Sequence, residues 1–460
     1  MFVEDAKLKL PVIEALSILT FLLLIIGIGI IQYGQGPHIP IAASIFFLFL
    51  YGKWKGLSFS DMESALIKGA ASGLGAIYIF FLIGMLIAAW MAGGTIPTIM
   101  HYGLSIISGN SFYAIVFIIT SILGLCIGSS LTTAATLGVA FIGMASAMDI
   151  SLEITAGAII SGAFLGDKMS PVSDTTNLAS ETVGVPLFEH IKNMMWTTLP
   201  GFIITFILFW ILSPNAGSIN MEELTKLNNL LLEEAVVSPW SLIPFIVVAI
   251  LALRRVPALM TLAGGVVSAC IITLFLSDIS IAQIAEILFS GYVMNSGVEQ
   301  LDSILTRGGI ESMMFSISLV LLALGMGGLL FQLGIIPSIL MAVQRALTTT
   351  RRLIGVTIIS GIGVNVSVGE QYLSILLPGR AFADHYDRLG LQRKTLARVL
   401  EDSGTVINPL IPWGVCGVFL TKVLGVATLD YLPFAIFCLV SPVLSLLSGL
   451  TGIGIHKKHN

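Results

Sequence analysis

Long apolar runs are the feature that most constrains what this chain can fold into. They lie at 12–31, 38–52, 74–92, 112–128, 192–213, 239–253, 257–277, 312–333, 353–369 and 430–450. A helix needs about 20 mainly apolar residues to cross a bilayer. The runs are too long and too uniformly apolar for the alternating strands of a membrane barrel. The sequence therefore predicts an all-α integral membrane protein with about ten transmembrane helices.

The composition excludes several classes of soluble protein. Apolar residues make up 56% of the chain and charged residues 10%, whereas a soluble domain carries roughly 25% charged residues. The sequence has no basic tail of the kind that would indicate a nucleic-acid partner. The four cysteines have no paired spacing, so neither a disulfide framework nor a metal site is indicated. We expect the lipid bilayer as the main partner, a homodimer as a further candidate, and no cofactor.

The distribution of lysine predicts the orientation. Lys7 and Lys9 precede the first apolar run, and Lys53, Lys55 and Lys68 follow the second, whereas the loop at 32–40 has no Lys or Arg. Cytoplasmic loops carry an excess of these residues. We therefore expect a multi-pass protein of the cell membrane with a cytoplasmic N-terminus and a retained first helix.

The stretch SGAFLGDKMSPVSDTTNLAS at 161–180 places charges between apolar segments. A charged side chain at membrane depth costs at least about 2.5 kcal/mol, so it usually faces a cavity or a partner. Pro171 and the short polar residues disfavour a continuous helix. A broken helix here offers free backbone groups to an ion, as in many transporters. We place the following Glu181, Glu189, His190 and Lys192 at the membrane surface.

Hydroxyl side chains cluster in GLCIGSSLTTAATLGVAFIG at 124–143, where Ser129, Ser130 and Thr133 lie between apolar arms. Their density in the middle of the run favours a re-entrant hairpin whose tip faces a cavity. Small hydroxyl residues also pack membrane helices against each other. That second interpretation stays open.

The same order of features occurs twice along the chain. Gly94 and Pro97 in GTIPTIM reappear as Gly334 and Pro337 in GIIPSIL, 240 residues later. The hairpin at 124–143 has a counterpart at 361–380, and the broken segment at 161–180 has one at 400–414. The first copy at 93–107 has no Lys or Arg, whereas Arg345, Arg351 and Arg352 follow the second. Opposite flanking charge predicts an inverted repeat, an architecture that usually serves alternating access.

The expected organisation has five parts. These are N-terminal transmembrane helices at 1–56, a first inverted repeat at 57–213, an extracytoplasmic linker at 214–238, a second inverted repeat at 239–428, and a C-terminal helix and tail at 429–460.

The second half has its own polar groups. Asn365, Ser367 and Glu370 lie in its hairpin, and Asp402, Ser403, Thr405 and Asn408 lie in its broken helix. The basic residues Arg388, Arg393, Lys394 and Arg398 are most simply a cytoplasmic helix face. Arg380 and Arg398 could instead turn inward and pair with carboxylates.

GDKMSPVSDTTNLAS at 166–180 and EDSGTVINPLIPWG at 401–414 resemble the signatures of the NhaC-type sodium/proton antiporter family. The likeness extends to both hairpins and so covers most of the chain. It implies exchange of Na⁺ for H⁺ by two re-entrant hairpins and two unwound helices. Some relatives exchange malate and lactate, so a cation-coupled hydroxy-acid antiporter is the alternative.

Oxygen donors support a cation site independently of that resemblance, because hard cations prefer carboxylate, hydroxyl and carbonyl ligands. We expect Asp174 and Asp402 to bind Na⁺, with Asp167 and Glu370 next as carriers of the shared proton. An ion pair of Asp167 with Lys168 is the alternative role for Asp167. The wider candidate set is Ser129, Ser130, Thr133, Ser173, Thr175, Thr176, Asn177, Asn365, Ser367, Ser403, Thr405 and Asn408.

Other functions fit the sequence less well. A hydroxy acid needs a counter-charge, which Lys168 or the helix after Asp174 could supply. An intramembrane hydrolase needs a nucleophile with a histidine or carboxylate at depth, but the histidines fall near predicted helix ends or in the tail. A passive channel needs no titratable carboxylates in both halves. We therefore expect a transporter and not an enzyme.

Overall fold

The structure is a computed structural model, and it describes residues 6–33, 36–106, 111–214, 221–254, 256–344 and 347–457. Arg255 and Arg345 lie outside this part of the chain. Within it the regular secondary structure is helical, and two isolated bridges pair Tyr292 with Arg307 and Leu391 with Lys457. Seven of the described helices are long and apolar enough to cross a membrane, or up to ten if each bent pair is one span. The prediction of an all-α membrane protein is confirmed.

The helices of the first half are α1 (Val12–Ile31), α2 (His38–Trp54), α3 (Phe59–Ala71), α4 (Leu74–Ala92), α5 (Thr95–Ile106), α6 (Phe112–Ile127), α7 (Ser130–Thr133), α8 (Val139–Ala147), α9 (Leu152–Met169), α10 (Asp174–Val183), α11 (Leu187–Leu212) and α12 (Met221–Glu234). A π-helical turn, Ala134–Gly138, joins α7 to α8. The predicted linker thus contains a helix, α12, whose polar sequence carries acidic residues.

The helices of the second half are α13 (Ile243–Leu253), α14 (Ala258–Leu276), α15 (Ile281–Ser290), α16 (Glu299–Leu305), α17 (Ile310–Gln332), α18 (Ile335–Gln344), α19 (Thr350–Val368), α20 (Gln371–Arg388), α21 (Arg393–Leu400), α22 (Val415–Leu424), α23 (Thr428–Tyr431) and α24 (Ile436–Thr451). Short 3₁₀ segments lie at Pro239–Leu242, Asn408–Leu410 and Leu432–Phe434, and a π-helical turn lies at Glu401–Thr405.

Large apolar side chains cover the outside of the bundle. Phe275 is 82% exposed and Ile13 is 81% exposed, and many other apolar residues of α11, α13, α14 and α24 also face outward. Soluble monomers rarely expose contiguous apolar patches of more than a few hundred Å². These faces therefore suit contact with lipid chains.

Glycines with left-handed backbone mark equivalent positions in the two halves. Gly94 and Gly334 end α4 and α17 with φ of 76° and 71°, and Gly128 and Gly369 end α6 and α19 with φ of 67° and 75°. Other L-residues rarely adopt this conformation, so glycine is favoured at such helix ends. The spacing within each pair is 240 or 241 residues, which matches the repeat seen in the sequence.

The packing of α3 and α4 on α17 shows that the repeats are inverted. Gly69 packs against Gly328, whereas Gly84 accepts a hydrogen bond from the Gly309 amide at 2.8 Å. Along one direction of the bundle, residue numbers therefore increase in α3 and α4 and decrease in α17. Helix α4 and its repeat counterpart α17 are thus antiparallel.

Pro97 and Pro337 therefore lie at opposite ends of the bundle. Beside Pro97, the Ser238 amide donates to Thr98 Oγ1 at 3.1 Å. Beside Pro337, the Leu10 amide donates to Ser338 Oγ at 3.3 Å. We call the end at Pro337 the basic end, because many of the described lysines and arginines lie there: Lys7, Lys9, Lys53, Lys55, Arg388, Arg393 and Lys394.

Two helical hairpins turn back inside the protein. The first consists of α6 and α7–α8, which meet at Gly128, and the rings of Phe112 and Phe141 in its two arms are 6.5 Å apart. The second consists of α19 and α20, which meet at Gly369. The predicted ranges 124–143 and 361–380 include these tips but only part of each arm.

Both predicted broken helices are present. In the first half α9 ends at Met169 and α10 begins at Asp174, leaving a short break that contains Pro171. In the second half the chain passes from α21 through the π-helical and 3₁₀ segments to α22. Pro409 and Pro412 lie in this irregular stretch, as expected for residues that cannot continue a helix.

Candidate functional site

The tip of each hairpin touches the broken helix of the same half. Gly128 lies against Ser170 and Val172, and Gly369 lies against Trp413 and Gly414. A methyl group at either glycine would meet these neighbours within about 3 Å. Residues from all four irregular segments line one cavity, as they do where discontinuous helices form a transport site.

A cavity of about 530 Å³ opens at this junction. Its lining residues with polar side chains are Ser72, Asp174, Glu370, Gln371 and Tyr372. The lining also includes Val256 and Pro257 in the turn between α13 and α14. That turn lies at the basic end, because the opposite end of α14 packs against Gly93, which ends α4.

Asp174 and Glu370 are the carboxylates of this cavity. Asp174 is the first residue of α10, and its side chain is exposed to the cavity. Glu370 is 7% exposed and caps α20, accepting a hydrogen bond from the Leu373 amide at 2.8 Å. Ser129 holds the equivalent position, 241 residues earlier, and caps α7. The repeat thus places a hydroxyl at one hairpin tip and an acid at the other.

Asp167 lies behind the cavity and is 5% exposed. Its Oδ2 accepts a hydrogen bond from the Ser130 amide at 3.0 Å, which ties α9 to the first hairpin tip. That tip contributes Ile127 and Leu131 to the lining of the cavity, beside Asp174 and Glu370. The structure therefore gathers three of the four predicted acids around one region.

The hydroxyl and amide residues of the first half hold the break and the hairpin tip in place. Thr176 Oγ1 donates to the Lys168 carbonyl at 2.9 Å, and Asn177 Nδ2 donates to the Ser173 carbonyl at 2.7 Å. Ser173 caps α10 and lies 3.1 Å from Thr175. In the hairpin, Thr133 Oγ1 donates to the Ser129 carbonyl at 2.9 Å. A hydroxyl that donates in this way keeps lone pairs for a cation.

Two asparagines hold the helix break and the hairpin tip of the second half in place. Asn408 Nδ2 donates to Asn365 Oδ1 at 2.8 Å and to the Gly369 carbonyl at 3.1 Å. Asn365 Nδ2 donates to the Gly404 carbonyl at 2.7 Å. Asn408 is 241 residues beyond Asp167, so the repeat replaces an acid with an amide. Ser367 and Ser403 donate to carbonyls of their own helices.

Asp402 lies in a different place from the one we expected. It is fully buried, does not line the cavity, and forms an ion pair with Lys168. Ser441 and Ser445 donate to its two oxygens at 2.6 Å each, and Thr197 donates to Oδ2 at 2.9 Å. An ion bound by Asp402 would have to displace Lys168. The structure therefore does not bring Asp402 to the cavity that Asp174 lines, and Lys168 pairs with Asp402 instead of Asp167.

Sequence reasoning missed the groups around this ion pair. Thr197 lies on α11, and Ser441 and Ser445 lie on the largely apolar α24, where two serines one turn apart were the only signal. His190, which we placed at the membrane surface, has a side chain that is fully buried within the protein. Arg398 does turn inward, but it donates to Ser448 at 2.7 Å and to the Gly454 carbonyl at 3.0 Å.

The described residues contain no group of three or more His, Cys, Asp or Glu side chains that could hold a metal ion tightly. A transported ion must leave as readily as it enters. Such an ion can bind to two carboxylates with hydroxyl and carbonyl oxygens.

Sequence comparison identifies the family. The model of the Na⁺/H⁺ antiporter family matches residues 6–176 and 162–453. The chain is 43% identical to the Na⁺/H⁺ antiporter NhaC of Alkalihalophilus pseudofirmus, covering 92% of each chain. It is 41% identical to the Na⁺/H⁺ antiporter NhaC of Bacillus subtilis, covering 97% of this chain and 99% of the relative.

Two more distant proteins complete the comparison. The malate-2H⁺/Na⁺-lactate antiporter of Bacillus subtilis is 33% identical, covering 90% of this chain and 89% of the relative. The solved structure of MtrF from Neisseria gonorrhoeae is 12% identical with a TM-score of 0.41, covering 97% of this chain and 96% of that chain. That score is too low to support an argument. The family match and the two NhaC relatives nonetheless agree over nearly the whole sequence, and the chain belongs to the Na⁺/H⁺ antiporter family.

Proposed function

We propose that this protein exchanges Na⁺ for H⁺ by alternating access, with the cavity between the hairpin tips as its ion site. One observation carries the proposal: Asp174 and Glu370 line the same cavity, at the junction of two hairpin tips and two helix breaks. Na⁺ and H⁺ then compete for the same carboxylates. Each side of the membrane would load the site with whichever ion is in excess.

The chemistry of the cavity fits this competition. Deprotonated Asp174 and Glu370 offer the hard oxygen ligands that suit Na⁺, and nearby hydroxyls and carbonyls can complete the shell. A protonated carboxyl group loses its charge and binds the cation weakly. The inverted repeat supplies the movement, since exchange between its two conformations would open the site to each side in turn.

A hydroxy-acid antiporter has less support in this site. We considered Lys168 as the counter-charge for an organic anion, but its ammonium group is paired with Asp402 and is fully buried. The lining residues of the cavity include two acids and no Lys or Arg. An anionic substrate would therefore meet like charge.

We also propose the cell membrane as the location, with the basic end in the cytoplasm. Positive residues are retained on the cytoplasmic side, and the described residues at the basic end include Lys7 and Lys9 of the N-terminal segment. The cavity lining reaches this end, so under this proposal the cavity opens toward the cytoplasm. A homodimer stays a prediction.

The direct test is transport by the purified protein in liposomes that contain a pH-sensitive dye. A pulse of external Na⁺ should release internal protons, whereas K⁺ should give a weaker response or none. Malate and lactate are added in separate arms. A dye response that requires malate or lactate would replace Na⁺/H⁺ exchange with the hydroxy-acid function, and no response to any pulse would overturn secondary exchange altogether.

A further inference from the structure

Two buried titratable side chains do not line the cavity. His190 in α11 and Glu401 in the π-helical turn are both fully buried. Neither ring nitrogen of His190 and neither carboxyl oxygen of Glu401 has a hydrogen-bond partner. The Thr405 hydroxyl lies near Glu401 but does not form a well-oriented bond with it. An unsatisfied buried polar group costs about 1–3 kcal/mol, so each of these groups needs an explanation.

Both side chains lie beside the Lys168–Asp402 ion pair. His190 lies on α11, which packs against α21 and α24. It shares a helix face with Thr197, which is two turns further along and donates to Asp402. Glu401 directly precedes Asp402 in the chain, Asp167 directly precedes Lys168, and the ion pair holds these two segments together. His190, the ion pair, Glu401 and Asp167 therefore form one group of buried polar side chains.

Read as a line, these groups lead from the basic end toward the cavity. At its outer end, Glu189 is exposed next to His190, and Asn193 Nδ2 donates to the Lys394 carbonyl at 2.8 Å. At its inner end, Asp167 binds the Ser130 amide of the hairpin tip beside the cavity. The α13–α14 turn, through which the cavity reaches the basic end, is not part of this line.

We propose that His190 and Glu401 carry protons between the basic end and Asp167, on a route separate from the one the cation takes through the cavity. The inference rests on the proposed function. Asp402 is not a carrier on this route, because Lys168, Ser441, Ser445 and Thr197 saturate its oxygens. The pair instead keeps a fixed positive and a fixed negative charge next to the moving proton.

Each transfer conserves protons without any co-reactant. One ring nitrogen of His190 accepts a proton from water at the basic end while the other releases one inward. Water that enters the buried pocket passes this proton to Glu401, whose carboxyl group gives its own to Asp167. From Asp167 the proton reaches the carboxylates of the cavity when Na⁺ leaves them.

Two transport assays on Glu401→Gln and His190→Gln in liposomes test this route. Na⁺-driven proton release should fall roughly 100-fold, the contribution of a positioned proton carrier. Exchange of radioactive Na⁺ for unlabelled Na⁺ needs the cation site but no proton, so it should stay at the wild-type level. Thr205→Val is the matched control, because Thr205 is also buried and unpartnered on α11 but cannot titrate in the working range. It should leave both activities unchanged.

The outcomes separate the inference from the function on which it rests. Wild-type proton release in both variants, or an equal loss of proton release and Na⁺ exchange, would overturn the separate route. Glu401→Asp keeps a titratable group, so it tests the same route if Glu401→Gln does not fold, and it should restore proton release with a shifted pH profile. Wild-type protein that exchanges Na⁺ for Na⁺ but never releases protons would overturn the proposed function instead.

Discussion

The carboxylates of Asp174 and Asp402 differ in what surrounds their oxygens, and this gives them different chemistry. Asp174 faces a cavity and keeps oxygens free for an ion. Asp402 is surrounded by one ammonium group and three hydroxyls. A carboxylate with free oxygens can change its partner, whereas a saturated one is held in place. The proposed ion site therefore uses a carboxylate of the first kind, whereas Asp402 joins α9 to the π-helical turn.

Asp174→Asn should abolish Na⁺-driven proton release while the protein remains folded. The change keeps the size and one oxygen of the side chain but removes its charge and its proton. Glu181→Gln is the control, since Glu181 is an exposed acid on the same helix α10 that does not line the cavity. Dye-loaded liposomes measure both variants. Equal activity of Asp174→Asn and the control would show that the proton is carried elsewhere.

Asp402→Asn should act mainly on stability. Breaking a buried ion pair by removing one partner costs about 3–5 kcal/mol, because it leaves the other charge unpaired. Thermal unfolding in detergent should show a clear drop for Asp402→Asn and for Lys168→Met. The double variant removes both charges and should recover part of the loss. A wild-type melting temperature in Asp402→Asn would mean that the pair is not held as the structure shows it.

At the scale of elements, the hairpin tips depend on glycine for two reasons. Gly128 has a φ of 67°, and an added methyl group would lie 2.5 Å from Val172 Cγ2. Gly184 has a similar φ of 70° but open space around it. Gly128→Ala should therefore lose more stability than Gly184→Ala, which costs only the backbone strain of about 1–2 kcal/mol. Thermal unfolding of both variants measures the difference, and equal losses would contradict the close tip contact.

Much of this element-level plan could be predicted from the sequence. Apolar runs predict the helices, Pro171 and Pro412 predict breaks, and the repeated Gly-x-Ile-Pro unit predicts two inverted halves. Each of these signals is local or has a fixed spacing. The sequence predicted the positions of the hairpin tips only approximately. Clusters of polar residues indicate the region of each hairpin, whereas the chain turns at Gly128 and Gly369.

The pairing across the halves could not be predicted in the same way. Lys168 and Asp402 are 234 residues apart, and nothing in the sequence around Lys168 distinguishes this partner from Asp167 next to it. His190 stands beside exposed, charged neighbours in the sequence, so it resembles a surface residue. Only the packing of α11 against α21 and α24 shows that it is buried.

At the scale of the whole molecule, the two antiparallel halves give the protein one basic end. Lys7→Cys and Lys226→Cys test which side this end faces, in a background without the four native cysteines. Lys226 lies on α12, which packs on α5 at the end opposite the N-terminal segment. A membrane-impermeant maleimide applied to intact cells should label position 226 and not position 7. The reverse pattern would invert the orientation, whereas labelling at both positions would place both ends outside.

The pH dependence of Na⁺ affinity is the most direct test of competition at one site. Calorimetric titration of the purified protein gives the Kd for Na⁺ at a series of pH values. Below the pKa of the shared carboxyl group, the Kd should rise by up to about tenfold for each unit that the pH falls, because protons and Na⁺ exclude each other. Na⁺ binding should also release protons to the buffer. A Kd that stays constant with pH, with no proton released, would contradict the account.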